Sequence, residues 1–260
     1  MCGIFGVFFV KPPQEQRHHE ILAPLVEANL ERGNKQHGYL AHNPETPLTF
    51  ARRFTKPFTF DTMTELPMQA VFAHVRAPTG GSGDTNNVSE VHPYEAERLF
   101  LMMNGILINY LNPQNELRRL RYSMVDTSYL AGSINWALRD TAVQAAAAAA
   151  VKEGKDADHK VIREQLIASA VESFEGQQAC IMFDKATRSF YLWRVMSTLY
   201  VGFGKDYLVF SSAKVPDVAD NLLNEGTIMR LDPGTKGLYG AASFKFTTPY
   251  AAAEPASVAE

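Results

Sequence analysis

Met1-Cys2-Gly3-Ile4-Phe5-Gly6 is followed directly by the hydrophobic run Val7-Phe8-Phe9-Val10. This pattern predicts a buried β-strand, which would hold the start of the chain rigidly inside the molecule. If Met1 is removed, Cys2 carries both a thiol and a free α-amine. A deprotonated thiol is a strong nucleophile and an α-amine titrates near ~8, so one residue would supply nucleophile and base. The alternative is that Cys2 is an incidental small residue in a hydrophobic strand.

The composition is that of an ordinary globular protein. The chain has 260 residues, of which 46% are hydrophobic and 20% charged, enough to bury a sizeable core. Its net charge of -3 argues against nucleic acid or an anionic membrane as the main partner. The sequence has no apolar run of about 18 residues and no basic region of a signal peptide near its start. We therefore expect a cytoplasmic protein with no nucleic-acid and no membrane partner.

The two cysteines, Cys2 and Cys180, are too few for a disulfide framework or a structural zinc site. No histidine or carboxylate group has metal-ligand spacing, so we expect neither a metal nor a cofactor. Cys180 lies in a hydrophobic run and is interpreted as a buried core residue. His74 and His92 are interpreted as structural, since His74 lies within an apolar strand.

The first half of the sequence alternates strand and loop patterns around one helix. Residues 23–32 predict that helix, with Pro24 in its first turn and Gly33 just past its end. The run of residues 71–76 predicts a strand that leads into the glycine-rich loop at residues 78–83. Asn104-Gly105 separates two further strand patterns, so a tight hairpin turn is predicted there.

The second half begins with helices and continues with strands. Asp126 is a candidate N-cap for a helix over residues 127–138, and residues 145–160 read as a helical, charged surface insertion. Residues 161–174 predict an amphipathic helix. Strand patterns follow at residues 179–183, 190–194, 199–201, 208–211 and 227–231. Strands, then helices, then strands again favour antiparallel sheets with segregated helices over repeating βαβ units.

Four stretches in this order resemble the class II glutamine amidotransferase domain, an N-terminal-nucleophile (Ntn) hydrolase, over about residues 2–235. They are Cys2-Gly3-Ile4-Phe5-Gly6, His74-Val75-Arg76-Ala77-Pro78-Thr79-Gly80, Asn104-Gly105-Ile106-Leu107-Ile108-Asn109-Tyr110 and Asp126-Thr127. The resemblance implies an α+β fold, a four-layer α/β/β/α sandwich of two antiparallel sheets. We expect one such domain over residues 2–248 and a disordered C-terminal tail over residues 249–260.

The implied reaction is hydrolysis of L-glutamine to glutamate and ammonia through a γ-glutamyl thioester. The resemblance implies three catalytic residues: Cys2 as nucleophile, and Asn104 and Gly105 as donors to the oxyanion. It also implies four residues that bind glutamine: Arg76 at the α-carboxylate, Asp126 at the α-ammonium, and Thr79 and Gly80 in the loop. The planar fork of an arginine suits a carboxylate, and preorganised donors suit a developing oxyanion.

Other interpretations of the same residues stay open. Taken singly, Arg76 is an ion-pair partner, Asn104-Gly105 an ordinary turn and Asp126 only a helix cap. The chain ends soon after the glutaminase module, so we expect ammonia to be delivered to a separate acceptor enzyme. The alternatives are a free-standing amidohydrolase of another γ-glutamyl compound and a non-catalytic binding module on the same fold.

Overall fold

The structure is a computed structural model of the 260-residue chain. It describes residues 2–45, 48–77, 84–109, 125–155, 157–232 and 238–246. The glutamine contacts expected at Thr79 and Gly80 lie outside the described residues. So do the expected domain boundary at residue 248 and the tail at 249–260.

The first sheet is organised around β1 (Gly3–Phe9), in which every residue is buried. β4 (Ala70–Arg76) and β10 (Tyr207–Ser211) pair with it on either side, both antiparallel. The outer strands are β2 (Gln36–Asn43), β3 (Leu48–Phe54), β9 (Tyr200–Phe203) and β11 (Asn221–Leu222). The strand order is β11-β9-β10-β1-β4-β2-β3, which places the start of the chain in the middle of the sheet.

The second sheet is organised around β7 (Gly176–Asp184), which pairs with β6 (Leu99–Leu107) and β8 (Ser189–Val195). Its outer strands are β5 (Tyr94–Glu95), β12 (Thr227–Leu231) and β13 (Tyr239–Ser243). The strand order is β13-β12-β8-β7-β6-β5, and every pairing is antiparallel.

The two sheets pack face to face because the buried strands alternate their side chains between two cores. Ile4 and Phe8 of β1 belong to the core between the sheets, together with Phe183 and Phe190 of the second sheet. Phe5, Val7 and Phe9 turn to the opposite face and form a separate core beneath a helix. A strand with apolar residues on both faces is therefore covered on both faces.

Helices close the two outer faces. α1 (His18–Leu30) packs Leu22, Leu25 and Val26 on the first sheet. α2 (Asp126–Ala137) and α4 (His159–Glu172) pack on the second sheet, and α3 (Asp140–Lys152) lies against α4 with most of its alanines exposed or half-buried. The layers are α/β/β/α, so the predicted four-layer sandwich is confirmed. Of the helices in the described ranges, none is both long and apolar enough to cross a bilayer.

The predicted start of α1 is wrong. The helix begins at His18, and Pro24 lies inside it rather than in its first turn. A proline there lacks the N–H that would bond the carbonyl of Glu20 and crowds that carbonyl. His18, Leu22 and Leu25 are nevertheless buried at helical spacing, so packing on the sheet outweighs the local preference.

The predicted hairpin at Asn104-Gly105 is also wrong. β6 runs without a break through both residues, and Gly105 lies opposite Gln178 of β7. A Cβ at Gly105 would lie 2.0 Å from the carbonyl oxygen of Gln177. The glycine therefore permits a close approach of two strands rather than a turn.

Candidate functional site

Cys2 lies immediately before β1, at the end of the central strand of the first sheet. Its thiol donates to the carbonyl oxygen of Ala77 at 3.5 Å, just beyond the end of β4. The residue is half-buried. The buried strand holds the cysteine in one place while one side of it stays accessible.

Burial raises the pKa of the Cys2 thiol above its ordinary value. The hydrogen bond to Ala77 and the positive charge of Arg76 act in the opposite direction, while the negative charge of Asp126 raises the pKa further. The thiol is therefore protonated at neutral pH. To act as a nucleophile it needs a base nearby, since the thiolate is the reactive form.

The carbonyl group of Cys2 is held by two side chains. Arg32 Nε donates to the Cys2 oxygen at 3.0 Å, and Arg32 Nη1 donates to the Ser212 oxygen at 3.2 Å. With the amide of Asn104 oriented to suit its neighbours, Nδ2 donates to the Cys2 oxygen at 3.1 Å and Oδ1 accepts from Arg32 Nη2 at 3.3 Å. Arg32 thus links the cysteine to the expected oxyanion residue.

Sequence reasoning did not assign Arg32 to the site. The residue follows the end of α1, and only its place at the carboxyl end of that helix connects it with Cys2. The contact becomes visible only when α1 is folded back onto β1.

A cleft of about 330 Å³ opens beside Cys2. Nine residues line it: Cys2, Arg32, Asn104, Gly105, Ile106, Gln177, Met196, Ser197 and Thr198. Three expected catalytic residues, Cys2, Asn104 and Gly105, are therefore brought together in one cleft. Ligand pockets commonly occupy about 300–1,000 Å³, so this volume suits a small ligand of amino-acid size.

One wall of the cleft is an irregular segment, Met196-Ser197-Thr198, at the end of β8. Met196 has a φ of 56°, in the left-handed region that most side chains avoid. Glu225 holds it there, since one oxygen, Oε1, accepts from the Met196 N–H at 2.9 Å and from Arg194 Nη1 at 2.6 Å. Sequence analysis did not assign this wall either.

Arg76 is buried at the end of β4, with 3% of its surface exposed. Its Nη2 donates to Glu90 Oε2 at 3.0 Å, and its Nη1 donates to Gln36 Oε1. Glu90 is itself 1% exposed, so this is a buried ion pair. The structure places the charge of Arg76 within electrostatic reach of the Cys2 thiol and at the same time gives it an anionic partner.

Asp126 is the first residue of α2 rather than its N-cap, so the predicted cap is wrong by one position. Val125 occupies the cap, without a side-chain hydrogen bond. The Asp126 carboxylate instead accepts from the N–H of Leu107 at 2.9 Å and of Thr127 at 2.8 Å, which ties α2 to the end of β6. Burial raises the pKa of Asp126, and these hydrogen bonds oppose the rise.

His74 and His92 form a buried pair behind Arg76. His92 Nδ1 and His74 Nε2 are 2.8 Å apart, and both rings are almost completely enclosed. Burial, together with the positive charge of Arg76, lowers the pKa of His74 to about 3. Both histidines are therefore neutral parts of the core, as predicted, and Cys180 is likewise fully buried.

Across the described ranges from residue 2 to residue 246, no three His, Cys, Asp or Glu side chains lie close enough together to hold a metal ion.

Proteins of known structure share this architecture. No family model matches the chain. Two solved structures match 93% of it at 16% identity: glutamine phosphoribosylpyrophosphate amidotransferase from B. subtilis in complex with ADP and GMP, at a TM-score of 0.66, and the allosteric regulatory enzyme of purine biosynthesis, at 0.67. The chain has the Ntn-hydrolase fold. The resemblance to class II glutamine amidotransferases drawn from the sequence is thereby confirmed for the fold.

The Ntn-hydrolase match does not extend over the whole of those proteins. The chain covers 49% of each solved chain, so it spans about half their length. Among curated proteins, 7-cyano-7-deazaguanine synthase 2 from Sulfurisphaera tokodaii is 21% identical over 133 residues, which are 49% of this chain and 29% of that protein.

Proposed function

We propose that the chain is a class II glutamine amidotransferase that hydrolyses L-glutamine through a γ-glutamyl thioester on Cys2. One observation carries the proposal: in an Ntn-hydrolase fold, the thiol of Cys2 lies at the end of the central strand and shares a cleft with Asn104 and Gly105. A nucleophile on a rigid strand beside polar donors is the arrangement that acyl transfer requires.

The base in this proposal is the α-amine of Cys2, exposed once Met1 has been removed. The amine takes the proton of the thiol as sulfur attacks the side-chain amide carbon of glutamine. It then returns the proton to the departing nitrogen, so that ammonia leaves and the thioester remains. Water cleaves the thioester in a second step, with the amine again as base. A thiol whose pKa is raised by burial needs such a base.

Asn104 and Gly105 are proposed to stabilise the oxyanion that forms at the amide oxygen. One N–H of the Asn104 amide points to the Cys2 carbonyl, and an amide nitrogen carries two donors, so the second is proposed to face the oxyanion. Gly105 contributes its backbone N–H at a position without a side chain. Arg32 is proposed to act as a positioning residue, since it holds both the Cys2 carbonyl and Asn104.

Arg76 and Asp126 are proposed to hold the α-carboxylate and the α-ammonium of glutamine, with further contacts from Thr79 and Gly80. A carboxylate accepts about four hydrogen bonds. Asp126 already accepts from the N–H of Leu107 and from the N–H and the hydroxyl of Thr127, and an ammonium can join these three donors. The α-carboxylate of glutamine would bind an Arg76 guanidinium that is already paired with Glu90.

The ammonia is proposed to pass to an acceptor site on a separate enzyme. The support for a transfer of ammonia is that one of the two matched solved structures is named an amidotransferase, an enzyme class that transfers the amide nitrogen of glutamine. Under this proposal, glutamine turnover by the chain rises when the acceptor enzyme is added.

The test compares Cys2→Ala with Cys180→Ala. We expect Cys2→Ala to abolish ammonia release from glutamine and Cys180→Ala to retain it, because Cys180 is fully enclosed in the core. Glutamate and ammonia are measured together, with circular dichroism as a check that both variants fold. Substantial glutaminase activity in Cys2→Ala contradicts the proposal.

A further inference from the structure

Glu90 is a buried carboxylate that the proposed reaction does not use. It lies in a single turn of 3-10 helix at residues 88–90, where 1% of its surface is exposed. Its Oε2 accepts from Arg76 Nη2 at 3.0 Å, and its Oε1 accepts from Asn87 Nδ2 at 3.3 Å. The segment before β5 therefore places the negative charge of Glu90 next to the guanidinium of Arg76.

Gln36 completes the surroundings of the same guanidinium. It lies opposite Arg76 in the pairing of β2 with β4, and its Oε1 accepts from Arg76 Nη1. Gln36 Nε2 donates in turn to the carbonyl oxygens of Thr85 and Asn87, at 2.8 and 3.4 Å. Both terminal nitrogens of Arg76 thus have acceptors from the protein itself.

This arrangement has a consequence for the charge of the site. Arg76 and Glu90 together are neutral, and the negative Asp126 is among the other charges that act on the pKa of the Cys2 thiol. The α-carboxylate of a substrate would have to share Arg76 with Glu90. Two carboxylates at one cation repel each other, and this repulsion is weakly screened away from water.

We propose that Glu90 is a specificity-determining residue that makes the site depend little on a substrate α-carboxylate. The inference rests on the proposed function. The substrate class that the site then accepts is the primary amide of an ω-amino acid, bound through its ammonium at Asp126. The simplest member is 4-aminobutyramide, which is glutamine without its α-carboxylate; hydrolysis gives 4-aminobutyrate and ammonia.

The first experiment measures kcat/KM of the wild-type protein for L-glutamine and for 4-aminobutyramide by ammonia release. A site built to bind a substrate group rejects the analogue lacking it by roughly 10⁴–10⁵. We expect a preference for glutamine below roughly a hundredfold, because Glu90 already neutralises Arg76. A larger preference overturns the proposal, and this result needs no variant to fold.

The second experiment uses Glu90→Gln, with Glu90→Asp as the matched control that keeps the charge. In Glu90→Gln, we expect the preference for glutamine over 4-aminobutyramide to rise roughly tenfold or more, through a lower KM for glutamine. In Glu90→Asp, we expect the preference to stay near the wild-type value. The glutamine analogue that lacks the amine, glutaramate, should gain from Glu90→Gln in the same way as glutamine.

The outcomes separate the two proposals. If Glu90→Gln raises the KM for glutamine, or lowers turnover of both amides equally, Glu90 only holds Arg76 in place and the inference is wrong. If the wild-type protein releases ammonia from neither amide, the proposed function fails and the inference fails with it. An active wild-type enzyme whose preference is unchanged in Glu90→Gln overturns the inference alone.

Discussion

Two arginine–carboxylate pairs are buried in this molecule, and they are built differently. Arg163 of α4 binds Asp184 at the end of β7 with two contacts, Nε to Oδ2 at 2.7 Å and Nη2 to Oδ1 at 2.6 Å. Asp184 also accepts from the Ala186 N–H and the Thr187 hydroxyl, each at 3.0 Å. Among the described residues, Arg76 donates to Glu90 through Nη2 and to the neutral Gln36 through Nη1.

This difference in contacts separates a structural pair from a pair that lies beside the candidate site. Asp184 has a donor for each of its oxygens from arginine and further donors from the turn, so the Arg163 pair is closed and joins the helical layer to the second sheet. The Arg76 pair lies where its charge acts on the pKa of the Cys2 thiol. The burial of an ion pair is by itself weak evidence that the pair stabilises the fold. The role of each pair therefore has to be inferred from the groups around it.

The largest expected effect is on the structural pair. Arg163→Ala leaves Asp184 buried without its counter-ion and should lower the free energy of unfolding by about 3–5 kcal/mol. Urea denaturation measures this, with Arg17→Ala as the control. Arg17 pairs with Asp206 at the surface, and such pairs contribute about 0–1 kcal/mol. Equal stability of the two variants would remove the basis of the comparison.

A smaller effect concerns acid sensitivity at the Arg76 side of the molecule. The pKa of His74 falls to about 3 because of burial and the charge of Arg76. In the unfolded chain His74 binds a proton below pH ~6.5, whereas in the folded chain it stays neutral down to its lowered pKa. The stabilisation that comes from a neutral, buried His74 is therefore complete above pH ~6.5 and is lost as the pH falls below that value.

Between pH 7.5 and pH 5.0, His74 should account for a loss of about 2 kcal/mol in the free energy of unfolding. His92 acts in the same direction, since its pKa is also lowered. Urea denaturation at the two pH values, with wild type and His74→Gln, measures the difference. An equally steep loss in His74→Gln contradicts the assignment.

The third prediction concerns the Arg76–Glu90 pair and has the smallest effect. Arg76→Lys keeps the positive charge beside Glu90 but loses the planar fork. We expect kcat/KM for glutamine to fall by roughly tenfold, with little change in stability, because one charge-assisted contact is weakened. Alkylation of Cys2 by iodoacetamide should persist. If kcat/KM is unchanged, Arg76 does not touch the substrate.

Most of the fold followed from periodicity. The run at residues 227–231 became β12 with the predicted bounds, and the continuous apolar run after Cys2 became the central strand. A strand without a polar face has to be covered on both sides, which is why this run alone indicates an inner layer.

Local sequence patterns led to wrong predictions where tertiary contacts determine the structure. Asn-Gly is typical of a hairpin, but at residues 104–105 the approach of the Gln177 carbonyl requires the glycine inside a strand. The roles of Arg32 and Glu90 depend on partners 30 and 14 residues away along the chain, at Cys2 and Arg76. No short pattern in the sequence predicts these contacts, so Cys2, Asn104 and Gly105 of the cleft were predictable, whereas Arg32 and Glu90 were not.

Cys2, as the N-terminal residue, is proposed to be the nucleophile. The most direct measurement is peptide mapping by mass spectrometry after treatment with a glutamine analogue that carries a diazoketone in place of the amide. We predict one adduct per chain, on the sulfur of Cys2, in molecules that have lost Met1 and carry a free α-amine. An adduct on Cys180, or equally rapid labelling of Cys2 in molecules that retain Met1, would contradict this account.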